Sequence, residues 1–254
     1  MSRFRWPQFL VLLVAGLLAY ALGLPYTFAL TPFGLTPPPQ TLALMVAQTA
    51  LFLVAAIAVG QYFGSPVGLG TPVLDALRSG ESAADRVRSF APVAVLAGAG
   101  VGVLLIVIDL GLLLATGGPT VVSGLPPLWT RVLATVYGGV FEELLMRFGL
   151  VSLFVWVAWK VRRADDGGPT DAGVWAAIVL ASVIFGLGHL PIAAASGAVI
   201  TPYLVVRALL LNGLAGIVFG WMYWRNGIEA AMLSHFTADV TLHVVGLTLL
   251  DLLL

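Results

Sequence analysis

One nine-residue stretch, Val140 to Phe148, constrains this chain more than any other. It places Glu142, Glu143 and Arg147 inside an apolar segment that is long enough to cross a membrane. One such charge at the centre of a bilayer costs roughly 2.5–3.5 kcal/mol, and ionisable residues inside membranes are functional by default. Three of them within two helical turns therefore favour a functional site, with a buried ion cluster that only fixes helix packing as the alternative.

Helical geometry gives the three charges different partners. Glu143 and Arg147 are four residues apart, so they share a helix face and we expect them to form an ion pair. Glu142 is rotated by about 100° from Glu143 and about 140° from Arg147 in a helix of 3.6 residues per turn. We therefore expect Glu142 to remain unpaired and to face another group.

The composition predicts an integral membrane protein that forms one bundle. The chain of 254 residues is 60% hydrophobic and 9% charged, against roughly 25% charged residues in soluble domains. A net charge of zero argues against nucleic acid as a partner. Because the chain has no cysteine, disulfides, thiol nucleophiles and thiolate metal ligands are excluded.

Apolar segments separated by polar or Pro/Gly-rich breaks predict an all-α polytopic membrane bundle of about seven transmembrane helices. The first segment has a basic start and an Ala19-Tyr20-Ala21 sequence like that of a signal peptide, but we expect it to be a retained helix. The predicted helices cover about 8–30, 41–63, 92–115, 128–159, 172–190, 202–224 and 228–250.

The loop charges predict an orientation. The N-terminal end, the 64–91 loop, the 160–171 loop and the 225–227 turn hold nine Lys and Arg residues, whereas the intervening loops and the C-terminus hold none. The positive-inside rule then places the N-terminus inside and the C-terminus outside. The 64–91 loop has mixed charges, which indicates a short amphipathic helix at the membrane interface.

All three histidines lie in the C-terminal half. His189 ends the segment Phe185-Gly-Leu-Gly-His at the end of the fifth predicted helix. His235 and Asp239 are four residues apart and share a helix face, which His243 extends by another turn. Such a set suits a water-activating, oxyanion-stabilising or metal-binding site. The alternatives are a polar helix cap for His189 and a helix–helix hydrogen bond for His235 and Asp239. No HExxH or GxSxG motif is present.

Three motifs in order resemble a known family of intramembrane proteases. FEELLMRFGL matches EExxxR, FGLGH matches FxxxH, and HFTAD matches Hxxx(N/D). Their order and helix placement are similar to those of the CAAX prenyl endopeptidase and bacteriocin-processing family, over about 128–240. We accordingly divide one continuous bundle into an N-terminal three-helix membrane region, 1–127, with the interfacial loop 64–91, and a catalytic membrane core, 128–254.

The resemblance implies catalytic roles. Glu142 would be the catalytic glutamate, His189 its partner in activating water, and His235 and Asp239 the groups that stabilise the oxyanion. Supporting roles are implied for Glu143, Arg147 and Phe185.

One position departs from the family pattern. Many members have Asn where this chain has Asp239, and an ionised Asp cannot donate the hydrogen bond that Asn donates. Asp239 would then be protonated, hold a metal or orient His235. Family members are described both as metalloproteases and as metal-independent glutamate proteases. The sequence therefore does not decide whether this protein binds a zinc ion. Its candidate ligands are Glu142, His189, His235 and Asp239.

The sequence therefore predicts an endopeptidase that hydrolyses membrane-associated peptides or proteins in a prokaryotic cell membrane. One alternative is a catalytically inactive relative that acts as a membrane immunity or scaffold protein. A small transporter is the other alternative, but the internal repeats and paired broken helices that are common in transporters are not visible.

Overall fold

The computed structural model describes residues 4–31, 37–116 and 125–249. Within these ranges, seven helices are long and apolar enough to cross a membrane, as predicted, and one shorter helix is present. The protein is an all-helical, polytopic membrane bundle. The predicted loops near 31–40 and 116–127, and the last residues of the chain, lie partly or wholly outside the described ranges. The helices are α1 Trp6–Ala29, α2 Pro39–Val67, α3 Pro72–Ser79, α4 Ala83–Thr116, α5 Leu128–Val161, α6 Asp171–Ala195, α7 Pro202–Asn226 and α8 Ile228–Leu249.

The segment 64–91 differs from the predicted interfacial loop. It contains the predicted short helix, α3, but α4 already begins at Ala83, nine residues before the predicted start. Hydropathy detects only the part of a helix that is apolar, and the first turns of α4 carry the exposed, ion-paired Asp85 and Arg88. Glu229 at the start of α8 accepts hydrogen bonds at 3.1 Å from the backbone N–H groups of Val73 and Leu74. This carboxylate caps α3, whose first N–H groups have no partner within the helix.

Close backbone contact between α4 and α8 positions the last helix. A Cβ atom at Gly98 would collide with the carbonyl oxygen of Ser234, and one at Gly102 would lie 2.8 Å from Thr241. Small residues permit this close approach of the two helices. In a bilayer the hydrophobic effect gives apolar helices little reason to associate, so they are held together by close van der Waals packing. The contact fixes the position of His235, which follows Ser234 on α8.

One apolar core joins the two halves of the bundle. Leu53 and Ile57 of α2 pack with Leu144 and Val155 of α5, and all four side chains are fully buried. Helix α1 packs on the same helix α5, where Gly23 lies against the ring of Tyr137. Because both contacts are with α5, the N-terminal helices support the helix that carries the two glutamates.

Candidate active site

Helix α5 is widened where it carries the acidic pair. Residues Tyr137–Glu142 and Leu144–Val151 form π-helical turns, which hold more residues per turn than an α-helix and are frequent at functional sites. Gly138 lies at the start of this region, directly against α8. A Cβ atom there would collide with the carboxylate of Asp239 and lie 3.0 Å from Nε2 of His235. The absence of a side chain at Gly138 thus lets the two helices bring their polar residues together.

The predicted ion pair of Glu143 and Arg147 is present and has a third member. Nη1 of Arg147 donates to Oε1 of Glu143 at 2.8 Å, and neither side chain is more than 2% exposed. Nδ1 of His235 lies 2.7 Å from the same oxygen. The guanidinium lies over the rings of Phe185 and Phe219, at 4.7 and 5.3 Å from their centroids. Glu143 therefore links a cation on its own helix to a histidine on α8.

The contact with Glu143 identifies which nitrogen of the His235 ring carries the proton. A carboxylate only accepts hydrogen bonds, so Nδ1 carries the proton that it donates to Glu143. Nε2 then faces Oε2 of Glu142 at 3.8 Å and Oδ2 of Asp239 at 3.6 Å. Both distances exceed a direct hydrogen bond. Phe219 stacks on the imidazole at 4.3 Å and holds the ring plane. The side chains of Glu142 and Asp239 are 18% and 15% exposed, in contrast to the fully buried Glu143.

His189 lies beside this cluster, at the end of the helix Asp171–Gly188 in α6, as predicted. Its Nδ1 lies 2.8 Å from the carbonyl oxygen of Phe185, so Nδ1 is the donor and Nε2 is the nitrogen left for another partner. The Phe185 ring stands edge-on to the rings of both His189 and His235, at 4.8 and 5.9 Å. Among the described residues, no carboxylate lies within ion-pair distance of His189, Glu142 included.

Two further residues extend the cluster. Nε2 of His243 lies 3.9 Å from Oδ1 of Asp239, and the Tyr26 ring stands edge-on to the His243 imidazole at 5.8 Å. Sequence spacing had indicated His243, whereas Tyr26 lies on a helix that carries no motif. Its position follows only from the packing of α1 against α5.

The arrangement of the candidate ligand side chains is relevant to the predicted zinc ion. Among the residues of 4–31, 37–116 and 125–249, no group of three His, Asp or Glu side chains is arranged to hold a metal ion. Nδ1 of His235 is engaged by Glu143, which leaves this residue one nitrogen for any other ligand. Zinc at this site stays a prediction.

A comparison with protein families matches the region that carries these residues. Residues 124–241 match the family model described as type II CAAX prenyl endopeptidase Rce1-like. The match covers 118 of the 254 residues, and this part of the chain is similar to the CAAX prenyl endopeptidase family. The matched range agrees with the 128–240 that the three motifs indicated. No curated protein and no solved structure matches the chain.

The matched range includes the motif residues that form the candidate site. All the motif residues lie within 124–241, on α5, α6 and α8. His243 lies two residues beyond the match and Tyr26 lies far before it. The apolar helices α1, α2 and α4 fall outside the matched range and surround the site rather than supply its motifs.

Proposed function

We propose that this protein is an intramembrane endopeptidase in which Glu142 is the general base. The observation that supports this assignment is that two adjacent glutamates have different partners and different exposure. Glu143 is fully buried and bonded to Arg147 and His235. Glu142 makes no hydrogen bond among the described residues, is partly exposed, and faces Nε2 of His235. A base must have a free lone pair and access to water, and Glu142 has both.

In the proposed reaction, Glu142 removes a proton from a water molecule that the Nε2 acceptor of His189 helps to orient. The water oxygen adds to the peptide carbonyl carbon, and the carbonyl oxygen becomes an oxyanion. His235 and Asp239 donate hydrogen bonds to it. Glu142 then passes the proton to the peptide nitrogen, the C–N bond breaks, and a carboxylic acid and an amine form. The acid gives its proton to the amine, so a carboxylate and an ammonium group leave.

The oxyanion role sets the protonation states of two residues. To donate from Nε2 while Nδ1 donates to Glu143, His235 must be an imidazolium, and the Glu143 carboxylate stabilises that cation. Asp239 must carry a proton to donate at all, which suits a carboxyl group held between helices in a bilayer. Glu143 is therefore a positioning residue for His235 and does not itself touch the reacting atoms.

The test is cleavage of membrane-reconstituted peptides, with and without a prenyl group, by purified wild type and Glu142→Gln. We expect Glu142→Gln to lower turnover by at least about 100-fold, the typical contribution of a general base. Glu81→Gln, which changes an exposed glutamate, is the matched control and should leave turnover unchanged. Wild-type turnover by Glu142→Gln would refute the assignment. A folded wild type that cleaves no peptide of the panel would favour an inactive relative.

A further inference from the structure

Two cations at the C-terminal end of α5 share one aromatic ring. Nζ of Lys160 lies 4.7 Å from the ring centroid of Trp159, and Cζ of Arg163 lies 4.6 Å from the ring of the same residue. Nζ of Lys160 also lies 5.3 Å from the ring of Trp156. The negative face of an aromatic ring attracts a cation at such distances. The ammonium and the guanidinium are therefore held close together, around one indole.

The turn that follows α5 holds the Trp159 ring in place. Its Nε1 donates a hydrogen bond of 2.8 Å to the carbonyl oxygen of Gly167. The chain reverses direction here, and Arg163 and Pro169 form an antiparallel bridge. Gly167 has a φ of +82°, a left-handed conformation that favours glycine, and this conformation permits the reversal. The ring is therefore fixed relative to the cations on both sides of the end of α5.

The same turn separates these cations from the acidic residues that are close to them in the sequence. Oδ1 of Asp166 accepts a hydrogen bond of 2.8 Å from the backbone N–H of Gly168, so this carboxylate is engaged within the turn. In the described part of the chain, neither Lys160 nor Arg163 has a carboxylate oxygen within ion-pair distance. The sequence of this loop has mixed charges, but the structure leaves its two ring-bound cations together and without an anion.

Asp251, the acidic residue outside the described ranges, is too far away to pair with these cations. It follows Thr248 by three residues, and Thr248 contacts Arg131 near the opposite end of α5. Three residues of extended chain cover at most about 11 Å. The 29 residues of helix from Arg131 to Lys160 extend over about 40 Å. The counter-charge at Lys160 and Arg163 is therefore not supplied by Asp251.

The place of the cluster in the bundle points to a lipid as its partner. Helix α5 is long and apolar enough to cross a membrane, and the cluster lies at its end. Val157 and Val161, which flank Lys160 in the sequence, are 46% and 83% exposed. Exposed apolar side chains on a spanning helix face hydrocarbon, and tryptophan rings are enriched at the level of the lipid headgroups. Lys160 and Arg163 therefore lie at the depth of the lipid phosphates.

We propose that Lys160, Arg163 and Trp159 form a binding site for the phosphate group of an anionic phospholipid. An ammonium and a guanidinium both donate charge-assisted hydrogen bonds to phosphate oxygens. The indole keeps the two donors together, so that one phosphate meets both. Basic residues beside a spanning helix attract anionic lipids. The site goes beyond the proposed function and does not depend on peptide cleavage.

The test is native mass spectrometry of the purified protein, titrated with phosphatidylglycerol and, as the zwitterionic reference, phosphatidylcholine. We expect wild type to bind its first phosphatidylglycerol about 10- to 30-fold more tightly than phosphatidylcholine, since each cation near the membrane surface contributes about a five-fold factor. Lys160→Gln and Arg163→Gln should each lower this preference about 5-fold, and the double variant should abolish it.

Two further variants separate a defined site from general surface charge. Arg162→Gln is the matched control, because the backbone of Arg162 is extended, with φ −145° and ψ 130°. Successive side chains of an extended chain point to opposite sides, so Arg162 points away from the side that Arg163 occupies. Its removal should change the preference by less than about 2-fold, below the factor for a cation in contact with the lipid. Trp159→Leu keeps every charge but removes the ring, and should lower the preference about 3- to 5-fold.

Several results would overturn the inference. Equal affinity of wild type for the two lipids, or an equal loss of preference in Arg162→Gln and Arg163→Gln, would leave only the general charge of this face. A full preference in Trp159→Leu would refute the role of the ring. Displacement of phosphatidylglycerol by millimolar inorganic phosphate would assign a soluble phosphate ion in place of the lipid. If Trp159→Leu does not fold, the two cation variants and the wild-type ratio still decide.

Discussion

Removal of one member of the buried Glu143–Arg147 pair should affect stability far more than a change at the neighbouring Glu142. Arg147→Ala leaves the carboxylate of Glu143, whose side chain is 0% exposed, without its cation. Breaking a buried pair in this way costs about 3–5 kcal/mol. Since every 1.4 kcal/mol is a factor of ten, the ratio of folded to unfolded protein should fall by roughly 10²- to 10⁴-fold. Glu142→Gln should change it little, because Glu142 has no arginine or lysine partner among the described residues.

A double variant separates the structural role of the pair from its role in catalysis. Glu143→Gln with Arg147→Met removes both charges, and the Gln oxygen still accepts the Nδ1 proton of His235. Replacement of a buried pair by neutral groups of similar volume is often neutral for stability. We therefore expect folding near the wild-type level. Turnover should nevertheless fall by about 10²-fold or more, since without the Glu143 carboxylate His235 becomes neutral and Nε2 has no proton to donate to the oxyanion.

The assay is the folded fraction that survives a thermal ramp in detergent, measured by size-exclusion chromatography, beside cleavage of a reconstituted peptide. Arg147→Ala protein as stable as wild type would refute the importance of the pair for folding. A double variant with wild-type turnover would refute the positioning role of Glu143.

Three further predictions concern other parts of the molecule. Asp239→Asn should keep activity and extend it to higher pH, because an amide donates a hydrogen bond and has no proton to lose; a pH–rate profile with metal analysis checks this, and zinc that disappears together with activity would instead assign a metal ligand. A tag at residue 165 should be inaccessible from outside the cell and a tag at the C-terminus accessible, as the loop charges predict; labelling in the opposite sense would overturn the orientation. Gly98→Ala should destabilise the fold by about 1–3 kcal/mol through its clash with Ser234, whereas Gly100→Ala, which meets open space, should be neutral or stabilising; equal melting temperatures for the two variants would contradict the packing of α4 on α8.

Local geometry made several features predictable from the sequence. A span of about 20 apolar residues crosses a bilayer whatever its neighbours are, so the seven helices followed from hydropathy. The pairing of Glu143 with Arg147 and the shared face of His235 and Asp239 are separations of four residues within one helix. Both features can be predicted from the helical repeat alone. The family motifs have the same local character, and the matched range agrees with them.

The tertiary structure decided every relation between helices. Nothing along the chain indicates that Glu143 also meets His235, 92 residues away, because that contact depends on the close approach of α5 and α8 at Gly138. The start of α4 at Ala83 was missed since hydropathy follows the membrane and not the hydrogen bonds of a helix. Whether a membrane arginine is paired is likewise a property of packing. Sequence composition counts Arg131, Arg147 and Arg207 alike, and only the arrangement of the helices leaves Arg131 without a carboxylate among the described residues.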